Sequence, residues 1–150
     1  MTLDDIDRAL LRLLQENAEQ SSTRLAGKLG LSQPATWRRI RRLQDAGIVA
    51  GRELRLDLEM LGFGVTVFLG VKLALKGRVG LEDFERAVTA IPEVQSVDHV
   101  LGLYDYRLRV VARDLADFER VLRRRIMTLP GVGDVEANVL LSEERLPGPL

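Results

Sequence analysis

Residues 22–47 read STRLAGKLGLSQPATWRRIRRLQDAG, and two short helical patterns meet there at Gly30-Leu31-Ser32. Ser21 and Ser22 offer a cap for a helix over 23–29 with Leu25, Ala26 and Leu29 inward. Gly30 follows it, the residue that best tolerates the left-handed conformation at a helix end. Ser32 caps the next helix, and Pro34 falls in its first turn, where a missing N–H breaks no hydrogen bond. With Ile40 as the inward reference, ~100° per residue places Thr36, Trp37, Leu43 and Gln44 on its side. Arg38 and Arg42 then point directly away, with Arg39 and Arg41 on the flanks. Four arginines on a short helix that follows another short helix predict a helix-turn-helix that enters a DNA groove.

A solvated charged face is the competing reading of these arginines. Most of them have no acid four residues away, so the helix does not neutralise itself, and phosphate or base contact is the better account. Gln33, Ala35 and Arg38, near the helix start, are placed for base edges, with Ser32 offering a backbone or hydroxyl contact. Arg39 and Arg42 are better placed for phosphates, which set register rather than sequence, and Arg41, on the flank, is counted among the DNA-binding residues. Arg39 has a second reading, an ion pair with Glu16 or Asp45.

Upstream, residues 3–17 (LDDIDRALLRLLQEN) carry Ile6, Leu10, Leu13 and Leu14 at helical spacing, a stripe that Ala18 just beyond would continue, with Asp4 as N-cap and Asp7 three residues on. Downstream, residues 48–50 and 53–56 are expected to pair as a small wing around Gly51-Arg52, with Arg52 and Arg55 near the DNA backbone; a simple connector is the alternative. Residues 57–62 (DLEMLG) read as a linker.

Composition bounds the rest. The chain has 150 residues, 46% of them hydrophobic, enough for two small cores; only the last few residues look unstructured. It has no cysteine and one histidine, which removes disulfides, thiolate metal sites and cysteine nucleophiles. No nucleophile–base spacing is recognisable, and no cofactor motif: Gly62-Phe63-Gly64 and Gly131-Val132-Gly133 lack the strand-to-helix context of a phosphate loop. The start of the chain, MTLDDIDRALL, is acidic and unlike a secretory signal, and no apolar run is long enough to span a membrane, so a cytoplasmic location is expected. Residues 1–62 hold ten Lys/Arg against nine Asp/Glu, and residues 63–150 twelve against thirteen. DNA binding therefore rests on a local patch.

From Val65 the period becomes that of a strand: Val65, Val67, Leu69, Val71, Leu73 and Leu75 alternate with Thr66, Phe68, Gly70, Lys72 and Ala74. A helix is predicted over 81–91 (Leu81, Phe84, Val88 and Ile91 inward), strands over 94–101 and 106–112, a turn over 102–105, a helix over 115–129 (Leu115, Phe118, Leu122, Ile126 and Leu129 inward) and a strand over 132–141. The segment EDFERAV at 82–88 is echoed by ADFERVL at 116–122. Two similar β-α-β halves predict a ferredoxin-like βαββαβ sandwich, an antiparallel four-stranded sheet with both helices on one face, and an α+β chain overall. Val100, Phe68 and Val111 make the other face partly apolar, fit to be buried against a second copy in a homodimer. The expected organisation is a winged helix-turn-helix over 1–56, the linker over 57–62, the βαββαβ domain over 63–141 and a tail over 142–150.

LDDIDRALLRLLQENA, LAGKLGLSQPATWRRIRRLQDAGIV, HVLGLYDYRLRV and LPGVGDV, in that order, make the chain resemble the Lrp/AsnC (feast/famine) family of transcription regulators over residues 3–141. The resemblance implies a winged helix-turn-helix joined to an effector-binding domain that dimerises, with further assembly commonly to octamers, and an amino acid as effector at a subunit interface. It implies that the recognition helix falls on 32–46 and the effector loop on Gly102, Leu103, Tyr104, Asp105 and Tyr106. Leu103 stands where the family carries a polar residue, which points to an apolar or unusual effector. Trp37 stands where smaller residues are common. Asp105 would accept a hydrogen bond from an effector's ammonium group while the Gly102 backbone approaches closely. A plain hairpin turn is the competing reading of this loop. His99 and Asn138 are the further candidates for the pocket, His99 also fitting an ordinary packed or surface histidine.

Two other functions compete with a ligand-responsive regulator binding double-stranded DNA. Some tetrapyrrole (sirohaem-type) decarboxylases share the two-domain architecture and would use His99, Arg107 and Arg109, leaving the four-arginine helix unexplained. A ligand-sensing co-regulator with weak DNA binding is the other.

Overall fold

The computed structural model describes residues 1–74 and 77–150; of the expected first strand of the second domain, Leu75 lies outside the described residues. The chain divides into two compact units, residues 1–55 with 144–150, and residues 56–143.

The first unit holds α1 (Asp5–Glu16), α2 (Ser22–Leu29) and α3 (Gln33–Asp45). Each begins on a side-chain cap. Asp4 and Asp7 form a reciprocal capping box on α1, the Asp4 carboxylate accepting the Asp7 N–H at 2.7 Å and the Asp7 carboxylate accepting the Asp4 N–H at 3.2 Å. Ser21 caps α2, and Gly30 ends it at φ 66°. Ser32 caps α3. At the far end of α1 the Gln20 amide donates to the Leu13 and Asn17 carbonyls, which also accept the backbone N–H groups of Asn17 and Gln20, and so ties down the last helical turn. Leu10, Leu25 and Leu43 are wholly buried, one from each helix, and Leu11, Leu14 and Ile40 close around them. Burying one such side chain is worth about 1.5–3 kcal/mol.

Two expectations fail here. Trp37 is 52% exposed, because the buried stripe of α3 runs through Thr36, Ile40 and Leu43 and leaves Trp37 at its edge, where the ring is too large to enter a core already closed by leucines. The wing is absent: residues 48–56 form no strand, and Arg52 sits on exposed coil. Too few of these residues alternate apolar with polar to give a pair of strands a buried face. The end of the chain forms no helix or strand over 140–150 and is exposed over 141–149, as expected, yet it touches the first unit at two points. Leu150 is half-buried against the first unit's core, and Gly148 lies against the Gln15 side chain.

The second unit is built from β1 (Val65–Leu73), α4 (Arg78–Val88), β2 (Val94–His99), β3 (Tyr106–Ala112), α5 (Leu115–Val121) continuing into a π-helical turn (Leu122–Ile126), and β4 (Val132–Val139). The antiparallel sheet has the order β2-β3-β1-β4. Val67, Leu69, Val71 and Leu73 of β1 and Tyr106, Leu108 and Val110 of β3 face one core with Phe84, Val88, Phe118, Val121 and Ile126 from the helices. This is the arrangement expected from the repeat.

The second helical segment departs from expectation in detail. Leu115 is the first residue after the Asp114 cap and is 58% exposed. The π turn follows from the sequence LRRRI. An α-helix counted from Phe118 would bring Arg125 round to the core, whereas the wider turn puts Val121 and Ile126 there and sends Arg123, Arg124 and Arg125 to solvent. On the opposite sheet face Phe68 is half-buried, Val100 is exposed and Val111 is buried.

Candidate nucleic-acid interface and effector pocket

On α3, Ala35, Arg38, Arg39 and Arg42 line a shallow groove of about 260 Å³. Arg38 is exposed there. Arg41 lies on another side of the helix, its guanidinium 5.8 Å from the centroid of the Trp37 ring. Ser32 uses its hydroxyl on the Ala35 N–H, at 3.3 Å, and Gln33 donates its amide to the Ser22 hydroxyl at 2.7 Å, which ties the start of α3 to the start of α2. Arg52 is not with this group; it borders a different hollow, with Leu11, Leu14, Ile48 and Leu150.

The helix does have acids, but they come from α1. Arg39 donates to Asp4 at 2.8 Å and to Asp7 at 2.8 Å, and Arg42 donates to Asp7 at 2.6 Å. Arg39 therefore pairs neither with Glu16 nor with Asp45. Hydrogen bonds donated first to Asp4 and then to Asp7 raise the Arg39 pKa above its ordinary value, and the Asp7 N–H followed by Arg39 lowers that of Asp4. Counting only i±4 neighbours missed this. The signal was available in LDDID, since a capping-box acid stands at the end of a helix and is free to reach a neighbouring one.

The second unit offers a pocket of about 340 Å³ on the sheet face away from the helices, lined by residues that include Phe68, Gly70, Val100, Arg107 and Glu136. Register explains it. Gly70 of β1 stands between Arg107 of β3 and Glu136 of β4, and Phe68 between Arg109 and Asn138. The Tyr104 ring lies across Gly70, so close that a Cβ there would stand 2.7 Å from a ring carbon. The Tyr104 hydroxyl hydrogen-bonds to Glu136, which raises its pKa. Arg107 and Arg109 stack over Phe68, at 4.7 and 5.4 Å from the ring centroid, and Arg109 also meets Glu143 at 3.2 Å.

Gly102, Leu103, Tyr104, Tyr106 and Asn138 all border this pocket. Leu103 is 85% exposed at its rim. Asp105 is held by the sheet: its carboxylate accepts the Leu73 N–H at 2.8 Å, next to the register shift between Val71 and Leu73, and its own N–H donates to the Val71 carbonyl. No atom outside its own neighbours comes within 4 Å of a Cβ built on Gly102. Tyr106 is buried towards the helices, its hydroxyl donating to Glu85 at 2.5 Å. Burial first, then Glu85, raises its pKa well above the ordinary tyrosine value. His99 stacks on Tyr106 at 4.8 Å, on the helix side of the sheet and away from the pocket. Sequence reasoning missed Gly70 and Glu136. A lone glycine interrupting an alternating strand was the available signal for Gly70, since it marks close approach of another group.

Among the described residues no cluster of acidic or histidine side chains is suited to hold a metal ion, and no helix is long and apolar enough to cross a membrane.

Residues 3–44 match the model of the AsnC-type helix-turn-helix domain, and residues 66–147 that of the Lrp/AsnC ligand binding domain. The chain is 34% identical over 141 residues to the DNA-binding transcriptional activator DecR of Escherichia coli K12, covering 94% of this chain and 93% of that one. It is 36% identical over 144 residues to the Bkd operon transcriptional regulator of Pseudomonas aeruginosa, covering 96% and 94%. Among solved structures, the L-Met complex of a transcriptional regulator from Neisseria meningitidis superposes with a TM-score of 0.91 at 31% identity, covering 99% of this chain and 96% of that one. With an arginine-bearing α3 in one unit and a ligand-sized pocket in the other, the chain belongs to the Lrp/AsnC family: it is a DNA-binding transcriptional regulator with an effector-binding domain.

Proposed function

We propose that α3 is the recognition helix, that the pocket over Gly70 takes the effector, and that the effector is an amino acid with an apolar side chain. The observation that carries the effector assignment is the pairing of opposite charges at the two ends of one small pocket, Arg107 and Glu136, with apolar walls between them. A zwitterion satisfies both ends, and Phe68, Val100 and Leu103 suit an apolar side chain. Leu103, in place of a polar residue, favours the same class. The Neisseria relative is a complex with L-Met, an amino acid of that kind.

On the DNA side, Arg38 and Ala35 reach base edges, with Arg38 placed to fork onto a guanine. Ser32, Gln33, Arg39, Arg41 and Arg42 set the register of the helix. Arg52, on coil and bordering another hollow, is at most a backbone contact. The unit with the sheet dimerises through its outer face, where Phe68 and Val100 are incompletely covered, so the pocket lies at a subunit interface; higher assembly, such as an octamer, builds on that dimer. A dimer presents two recognition helices, hence a palindromic site with half-sites whole turns apart. The relatives' roles as transcription regulators support a cytoplasmic location. The tetrapyrrole alternative gains nothing from the geometry, since His99 faces the helices and Arg109 is tied to Glu143.

A duplex selected from a random pool by the wild-type protein, titrated across a salt series beside a scrambled duplex, tests the DNA reading. The expected result is preference for the selected duplex, with log K falling linearly as log salt rises. Arg38→Ala should cost about 1–3 kcal/mol and relax preference at one base pair. Equal binding of both duplexes, or wild-type affinity in that variant, contradicts the assignment.

A further inference from the structure

Asp7 has no assigned part in recognition beyond capping α1, yet it is the most completely enclosed charged group in the first unit. Its side chain is 0% exposed, and both of its oxygens are in use. Oδ1 accepts Arg39 at 2.8 Å; Oδ2 accepts Arg42 at 2.6 Å and the Asp4 N–H at 3.2 Å. Arg39 is pinned a second time by Asp4, at 2.8 and 3.0 Å. A buried carboxylate between two guanidinium groups fixes their position far better than a solvated one, because leaving it unpaired costs its full desolvation. The two arginines it holds are those that share the α3 groove with Arg38 and Ala35. Among the described residues Arg38 and Arg41 make no ion pair, which leaves their guanidinium groups to meet phosphate.

We propose that Asp7 is a positioning residue for sequence recognition: it fixes the guanidinium groups of Arg39 and Arg42 against α1 and withholds part of their charge from indiscriminate phosphate binding. This sharpens the ratio of specific to non-specific affinity rather than affinity itself. The same pairing carries a geometric consequence. Arg39 is held through Nη1 and Arg42 through Nη2, and both side chains line the groove, so a DNA phosphate meets guanidinium groups already fixed in place instead of two mobile chains. The inference rests on the DNA reading of α3.

The test compares the wild-type full chain, Asp7→Asn and Arg42→Lys on the selected and scrambled duplexes across a salt series, with melting points measured alongside. For Asp7→Asn the ratio of the two affinities should fall about ten-fold, the scrambled duplex should bind more tightly, and its salt slope should steepen by about one to two phosphate equivalents as the released arginines engage. In an Arg39→Ala, Arg42→Ala background, Asp7→Asn should change the ratio less than two-fold, since the residue acts through those side chains. A variant with a lowered melting point but wild-type ratio and slope at temperatures where it is folded shows a merely structural role and overturns the proposal. Should Asp7→Asn not fold, Arg42→Lys carries the test: it keeps the charge but not the fork, and is expected to lower the ratio about five-fold with the slope retained. An unchanged ratio there overturns it. If the wild type prefers neither duplex, the recognition reading of α3 has failed, an outcome distinct from a wild-type preference that Asp7→Asn leaves intact.

Discussion

At the scale of single residues, Gly70 and the two tyrosines define the pocket. Gly70→Ala adds a methyl group 2.7 Å from the Tyr104 ring, and the ring, being a side chain on a loop, gives way before the backbone. The expected outcome is a modest loss of stability, about 1–2 kcal/mol, together with loss of effector binding, read by denaturant melts and ligand-induced shift of the melting point. The tyrosines make a second prediction. Glu136 holds the Tyr104 pKa up, and burial followed by Glu85 holds the Tyr106 pKa up further. These are the chain's only two tyrosines, so an absorbance titration of the native protein should show no step at the ordinary pKa of 10.0. The sign for stability follows from linkage: a folded pKa above the unfolded one gives stabilisation that is complete below pH 10.0 and is lost as the pH rises beyond it. Tyr106→Phe should flatten that alkaline decline. A full two-tyrosine step near pH 10.0 in the folded protein would contradict the burial of Tyr106.

At the scale of elements, caps and periodicity were readable where they act locally. Asp4, Ser21, Gly30 and Ser32 mark helix ends by chemistry that involves only their near neighbours, and the strand over 106–112 has the bounds its alternation predicts. What depends on partners distant in sequence was not readable. The α3 arginines looked unneutralised because their acids are 32 and 35 residues away. Trp37 fell on the wrong side because a helical wheel places a side chain by angle and takes no account of whether the core has room. The wing was expected from spacing alone. The π turn needs knowledge of which side the core lies on, and that comes only after α5 is docked.

The start of α5 carries its own prediction. The Arg113 N–H, then the Arg120 guanidinium, hold the Asp117 carboxyl down to about 2. A depressed folded pKa gives stability that is present above 3.8 and lost as the pH falls towards 2. Asp117→Asn should therefore lower the melting point at neutral pH and remove part of the acid-side slope in that window. Identical pH profiles for the two proteins would contradict it.

At the scale of the whole molecule, the repeat at 82–88 and 116–122 was enough to predict the βαββαβ order, because two copies of one β-α-β unit have few ways to share a sheet. The pocket was half-legible. The loop over 102–106 pointed to its rim, whereas its floor depends on register between strands far apart in sequence, Gly70 beside Arg107 and Glu136. The loop also looked more uniform than it is. Asp105 secures the edge of β1 through the Leu73 N–H, and Tyr106 belongs to the core, so Gly102, Leu103 and Tyr104 are left as the part of the loop open to a ligand.

The central claim is that a small molecule in this pocket changes how tightly α3 holds DNA. Coupling of that kind amounts to a five-fold or larger change in affinity when it operates, and it is bounded by the ligand's preference between the two states. The direct measurement is fluorescence anisotropy of the selected duplex with the full chain, with and without each of the twenty amino acids, for the wild type and Gly70→Ala. The account predicts that an apolar amino acid shifts the wild-type Kd for DNA at least five-fold, and that Gly70→Ala keeps the ligand-free Kd within two-fold while losing the shift. No shift with any amino acid, or a shift that survives undiminished in Gly70→Ala, would contradict it.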